Sequence, residues 1–75
     1  VTSLSQLKVG DTARVVSVAG QDETAVRLME MGLTPGVEIQ LIGTAPLGDP
    51  LEFQVRGYRL SLRRGEAELV AVDTQ

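Results

Sequence analysis

Arg56, Arg59, Arg63 and Arg64 lie close together with no acid between them, in a chain that otherwise leans acidic. A guanidinium is planar and pairs bidentately with carboxylates and phosphates, so this group points to a surface for an acidic partner. The competing reading is that Arg59 and Arg63 simply solubilise a strand face or pair with Glu52 and Glu66. Exposed pairs contribute only ~0–1 kcal/mol, which leaves such charges available for other contacts. The remaining chemistry is sparse. The sequence has no Cys and no His, so thiolate and imidazole are missing both as nucleophile or base and as ligands. Glu66 and Glu68 fall at a turn and a strand start, with no apolar pocket in view to shift a carboxylate. Asp22, Glu23 and Glu30 offer oxygen ligands alone. Met29 and Met31 are spaced so that they point in different directions from a helix, as packing residues do. The expectation is no enzyme, no cofactor and no tight metal site.

The elements that position these residues must come from a small domain. A chain of 75 residues buries only about 60% of the surface its unfolded form exposes. Without disulfide or zinc to staple it, packing alone must hold a regular fold over residues 1–75, read as one domain. The formal net charge is −3, and Phe53 and Tyr58 are the only aromatics. Nucleic-acid binders show a basic footprint, and single-strand binders add stacking rings, so nucleic acid is not an expected partner. No apolar run approaches the ~20 residues of a membrane helix. Direct membrane insertion is not expected, and a cytoplasmic location is.

Residues 3–7 read as a single turn. Residues 12–20 are β-branched and apolar, a strand whose alternation breaks at Val15-Val16, where a bulge would give both valines apolar surroundings. Gln21 and Asp22 open a helix of about ten residues. Asp22 is a good N-cap, and Glu23 places negative charge in the first turn, where the helix dipole favours it. Ala25, Leu28, Met29 and Gly32 share one face, with Arg27 and Glu30 pointing away. Residues 37–46, 51–57 and 58–65 alternate as half-buried strands, and residues 46–50 form a loop. Pairing Val55 with Tyr58 also pairs Phe53 with Leu60 and Leu51 with Leu62, so all six share one buried face, and a four-residue loop pairing Val55 with Leu60 preserves the same face. Residues 65–67 turn the chain into a last strand over 68–72. These elements predict a mainly β fold: a small, strongly bent antiparallel barrel of about five strands, with one short α-helix between the first two.

The stretch RLMEMGLTPGV (27–37) is the most heavily punctuated. With Gly32 just past the helix end, Leu33 falls where a Schellman ending places an apolar contact with Leu28. Thr34 precedes a proline and is pushed extended. Pro35 and Gly36 suit the two central positions of a type II turn. Gly32, Pro35 and Gly36 therefore read as a structural turn. A phosphate-cradling loop runs strand, glycine loop, helix, and here the order is helix, glycine, strand.

Taken together, Leu7-x-x-Gly10, the string from Arg27 to Gly36, Ala45-Pro46-Leu47-Gly48-Asp49-Pro50, and Leu60-Ser61-Leu62-Arg63-Arg64 with Glu66-Ala67 resemble the FeoA family, ferrous iron transport protein A and its relatives. The resemblance covers residues 4–72; the family usually shows Leu where Met31 stands. It implies an SH3-like barrel and a role in bacterial ferrous iron uptake. Proteins of this family are small cytosolic accessories to FeoB, a membrane transporter with a GTP-binding domain. The implied partner is therefore the cytosolic GTP-binding part of FeoB, contacted by Arg56, Arg59, Arg63 and Arg64, with the helix–turn surface around Met31 and Leu33 as the second candidate. Weak self-association is a further expectation. A similar barrel is appended to iron- and manganese-dependent repressors, so the alternative function is a metal-responsive sensing domain that binds a transition metal ion.

Overall fold

The computed structural model describes residues 1–20 and 22–74. Six strands, β1 (Thr2–Ser3), β2 (Thr12–Val18), β3 (Glu38–Thr44), β4 (Leu51–Val55), β5 (Tyr58–Leu62) and β6 (Val70–Thr74), form one antiparallel sheet in the order β1-β6-β2-β3-β4-β5. A short 3₁₀ turn (Leu4–Gln6) follows β1, helix α1 (Glu23–Glu30) joins β2 to β3, and a single helical turn α2 (Arg64–Ala67) joins β5 to β6. The strand that sequence reading missed is β1. Two residues are too few to show an alternation, and only their pairing with Ala71 and Val72 makes them a strand. The last strand starts two positions later than expected because residues 64–67 coil first, which makes Glu68 the C-cap of α2 rather than a strand residue.

Two register shifts bend the sheet, one in β2 between Val15 and Ser17 and one in β3 between Leu41 and Gly43. The first is the bulge expected at Val15-Val16, but it does not shelter both valines. Val15 is buried and Val16 is exposed, because the extra residue of a bulge is left unpaired on the outside of the bend.

Buried side chains from every strand except β1 meet in one core around Phe53, which is fully buried with Leu4, Leu28, Leu33, Ile39, Leu41, Leu51, Leu62, Val70 and Val72. Helix α1 seals this core with Ala25 and Leu28. Met29, expected on the same face, is exposed instead. An eight-residue helix lying on a sheet buries a narrow stripe, and Met29 falls at its margin. The Asp22 carboxylate accepts from the Ala25 N–H (3.2 Å) and caps the helix; Gln21, read as its opening residue, lies outside the described residues.

The helix ends on Gly32, with φ 105°. The Leu33 N–H donates to the Leu28 carbonyl (3.2 Å) and the Gly32 N–H to the Met29 carbonyl (3.0 Å), the two bonds of a Schellman motif. Leu33 and Leu28 are both wholly buried. The Val37 N–H then donates to the Thr34 carbonyl (3.1 Å) across Pro35-Gly36, with Gly36 at φ 93°. The Gly36 N–H and the Val37 carbonyl also bond β2 through Val15 (both 2.8 Å), so the turn delivers the chain directly into β3.

Candidate functional site

Strand β5 is the last strand of the sheet, so it has a ladder partner on one side only. Arg56 and Gly57 form its two-residue connection to β4, with Gly57 at φ 76°. The register is Val55 with Tyr58, Phe53 with Leu60 and Leu51 with Leu62. Alternation then directs Leu60 and Leu62 into the core and leaves Arg59 and Ser61 exposed on the opposite face. Arg63 follows, also exposed. Its N–H donates to Glu66 Oε1 (2.9 Å), and Arg63 and Glu66 thereby start α2. Among the described residues the side chains of Arg56, Arg59 and Arg63 enter no ion pair. The structure thus leaves three of the four expected arginines exposed between the hairpin tip and the far end of β5, with exposed Glu52 of β4 opposite Ser61.

The fourth is committed elsewhere. Arg64 donates from its backbone N–H to Asp49 Oδ1 (2.8 Å), from Nη2 to the Gly48 carbonyl (2.9 Å) and from Nη1 to the Ser5 carbonyl (3.2 Å). It ties the 45–50 loop to the 3₁₀ turn and is a structural pin rather than a free partner contact. The loop so held carries Leu47 with 97% of its surface exposed.

The alternative pairing of Arg59 and Arg63 with Glu52 and Glu66 forms no ion pair among the described residues. The Glu66 carboxylate instead meets Arg27 of α1. Sequence reading assigned Arg27 only to the outward face of its helix, and no local signal joins two residues so far apart in the chain.

Two further expectations change. Tyr58 was placed with the buried residues, yet it is 41% exposed. It sits at the hairpin tip, where its hydroxyl reaches out to donate to the Met31 carbonyl. Leu33 was a candidate partner contact, and full burial removes it from any surface. Met31 is only half-buried, but its side chain packs against the core and its carbonyl is taken by Tyr58.

An open cleft of about 350 Å³ lies near the hairpin tip, lined in part by Thr12, Arg14, Glu38, Gln40, Gln54 and Arg56. Arg14 is engaged there through Nη1 with the Gly36 carbonyl (3.0 Å), and Gln54 Nε2 donates to the Val55 and Tyr58 carbonyls (3.2 Å each). The lining is polar and holds no nucleophile–base pair. Asp22, Glu23 and Glu30 do not converge, and among the described residues no group of three or more Asp or Glu side chains is placed to share a metal ion.

Residues 2–74 match the FeoA domain family over nearly the whole chain. The chain belongs to the FeoA family. It is 39% identical over 70 residues to the Fe(2+) transport protein A/Fe(2+) transporter FeoB fusion protein of Porphyromonas gingivalis, a match that takes up 93% of this chain but only 8% of that much longer one. The FeoA protein of Chlorobium tepidum superposes with a TM-score of 0.89 at 44% identity, over 97% of this chain and 70% of that one. The FeoA of Stenotrophomonas maltophilia, solved in complex with zinc and described as an SH3 domain protein, gives 0.85 at 38% identity, over 97% and 91%. A manganese-dependent transcriptional repressor shares the fold alone, at 14% identity and a TM-score of 0.88. This FeoA domain therefore has an SH3-like fold and belongs to a family associated with ferrous iron transport, and no helix among its described residues is long and apolar enough to cross a membrane.

Proposed function

We propose that this FeoA domain is a non-enzymatic accessory of ferrous iron uptake that docks on the cytosolic GTP-binding part of a FeoB-type transporter and modulates it. The observation that carries this reading is the Porphyromonas gingivalis relative, in which a FeoA sequence and FeoB share one polypeptide. Fusion places two partners at high effective concentration, which is useful where the same contact otherwise forms between separate chains. The docking surface is the rim of Arg56, Arg59 and Arg63, whose charges have no ion-pair partner within the described residues. Complementary charge of this kind mainly raises the association rate and fixes orientation.

The test is charge reversal. Arg59→Glu combined with Arg63→Glu exchanges two exposed side chains, and substitutions of that type usually change stability by within ~0.5 kcal/mol. The double variant is expected to fold, to lose affinity for the isolated cytosolic domain of the transporter, and to fail in restoring iron uptake to a strain lacking the protein. Wild-type binding is expected to weaken as salt is raised. A folded double variant with wild-type affinity and full uptake would return this rim to the status of a solvated strand face.

A further inference from the structure

The β4–β5 hairpin closes with a two-residue connection, so the register assigns every backbone group of β5. Tyr58, Leu60 and Leu62 lie opposite Val55, Phe53 and Leu51 in the pairs that exchange ladder hydrogen bonds across such a hairpin. The N–H and C=O groups of Arg59 and Ser61 therefore point the other way, off the edge of the sheet. Among the described residues no strand lies on that side, and no backbone partner outside the ladder takes those groups. An unpaired backbone group left dry is costly, and Arg59 and Ser61 are exposed, so these four groups are open to solvent. At its end the edge stops, because the Arg63 N–H is already used by Glu66.

A bare edge strand is a template for another strand, and charge decides which one it accepts. Arg59 and Arg63 lie four positions apart on one face, roughly 13 Å along an extended chain. A second copy of β5 laid antiparallel on this edge sets Arg59 opposite Arg63 when Ser61 faces Ser61. Centred on Arg59, it sets that arginine opposite its own counterpart, and the register between brings the two Arg59 side chains diagonally together. Like charges opposite one another destabilise strand pairing. The same arginines favour a strand that carries carboxylates at alternate positions. We infer that the edge of β5 admits an extended acidic segment as an added strand, bonded through the backbone of Arg59 and Ser61 and selected by the Arg59 and Arg63 side chains. This inference rests on the reading of β5 as the docking surface and specifies how that surface is used: main-chain bonds give attachment and alternate side chains give choice.

Ser61→Pro separates the two ideas. Its N–H faces away from β4, so proline removes an edge donor without removing a ladder bond, a situation in which a strand tolerates it. The probe is a short, end-capped peptide alternating Glu and Thr, with a Lys/Thr peptide as control, followed by amide hydrogen exchange on the isotopically labelled chain. The Glu/Thr peptide is expected to slow exchange at Arg59 and Ser61 by about tenfold or more while leaving Leu60 and Leu62 unchanged, and the Lys/Thr peptide to do neither. Both Ser61→Pro and the Arg59→Glu/Arg63→Glu pair are expected to abolish binding of the Glu/Thr peptide. If Ser61→Pro folds and binds like wild type while charge reversal does not, attachment is by side-chain charge alone; strand addition is then overturned and the cationic docking surface stands. If charge reversal also leaves binding intact, both readings fall. Should Ser61→Pro fail to fold, the exchange rates of Arg59 and Ser61 in the wild-type chain decide the matter: no protection there overturns strand addition.

Discussion

The Tyr58 hydroxyl donates to the Met31 carbonyl, fastening the tip of the β4–β5 hairpin to the C-terminal end of α1. A helix leaves its last carbonyls without intrahelical partners, and here a side chain from another element supplies one. The bond runs directly over Gly32. A Cβ at that position would collide with the Tyr58 hydroxyl. Glycine is thus required by its positive φ, and any Cβ there would also force the Tyr58 hydroxyl to shift.

Gly32→Val is expected to lower stability by more than ~1 kcal/mol, since a β-branched residue at φ 105° is strained whatever surrounds it. The collision adds a second term that can be isolated. Tyr58→Phe by itself removes one exposed hydrogen bond and should cost about 0.5–1.5 kcal/mol. In a double-mutant cycle with Gly32→Ala, removing the hydroxyl should make the glycine replacement less damaging, so the two costs add to less than their sum. Denaturant midpoints of the four proteins measure this. Strict additivity would mean that the hydroxyl does not sit over Gly32.

Arg59 and Arg64 lie five positions apart with opposite duties, and alanine should tell them apart. Arg64→Ala removes the two guanidinium bonds to Gly48 and Ser5. It is expected to destabilise by about 1–2 kcal/mol, given that exposed bonds fall below the 1.5–3 kcal/mol typical of a charged donor. The loop itself should loosen, with faster exchange at the Gly48 amide, which bonds the Ala45 carbonyl at 2.7 Å. Arg59→Ala should change stability by within ~0.5 kcal/mol and leave that amide unaffected. Equal effects from the two replacements would contradict the division between pin and free rim.

Phe53→Ala tests how little reserve a core of this size holds. Phe53 is 0% exposed, and truncating a buried phenylalanine costs ~3–5 kcal/mol. At ~0.05–0.15 kcal/mol per residue, a chain of this length has roughly 4–11 kcal/mol in total. The variant is expected to be partly or wholly unfolded at 37 °C, seen as a loss of cooperative melting by circular dichroism. A melting midpoint within a few degrees of wild type would refute the assignment of Phe53 to the centre of the core.

Much of this molecule was decided over short stretches of chain. Alternation over Leu51–Val55 and Tyr58–Leu62 fixed which face of the hairpin is buried, because side-chain direction in a strand has a period of two; the choice of Val55 opposite Tyr58 over Val55 opposite Leu60, which buries the same face, came from the two-residue turn of the folded chain. Asp22, Gly32, Pro35 and Gly36 announced where α1 begins and ends and how β3 is entered, because caps and turns are set by a residue's own backbone preferences and its near neighbours. The fates of the arginines were not legible in that way. Their four positions look alike as sequence, and what separates them is distant: the Ser5 carbonyl lies 59 positions from Arg64, and Arg27 lies 39 from the Glu66 that sequence reading offered to Arg63. Nor does alternation reveal that β5 ends the sheet, or that Tyr58 turns outward to meet a helix end. Those are consequences of strand order and of loops folding over one another, where a polar side chain takes whichever acceptor the packed chain brings within reach. Local rules therefore determined the pieces and their inward faces, and tertiary structure alone decided which charges remained free to bind.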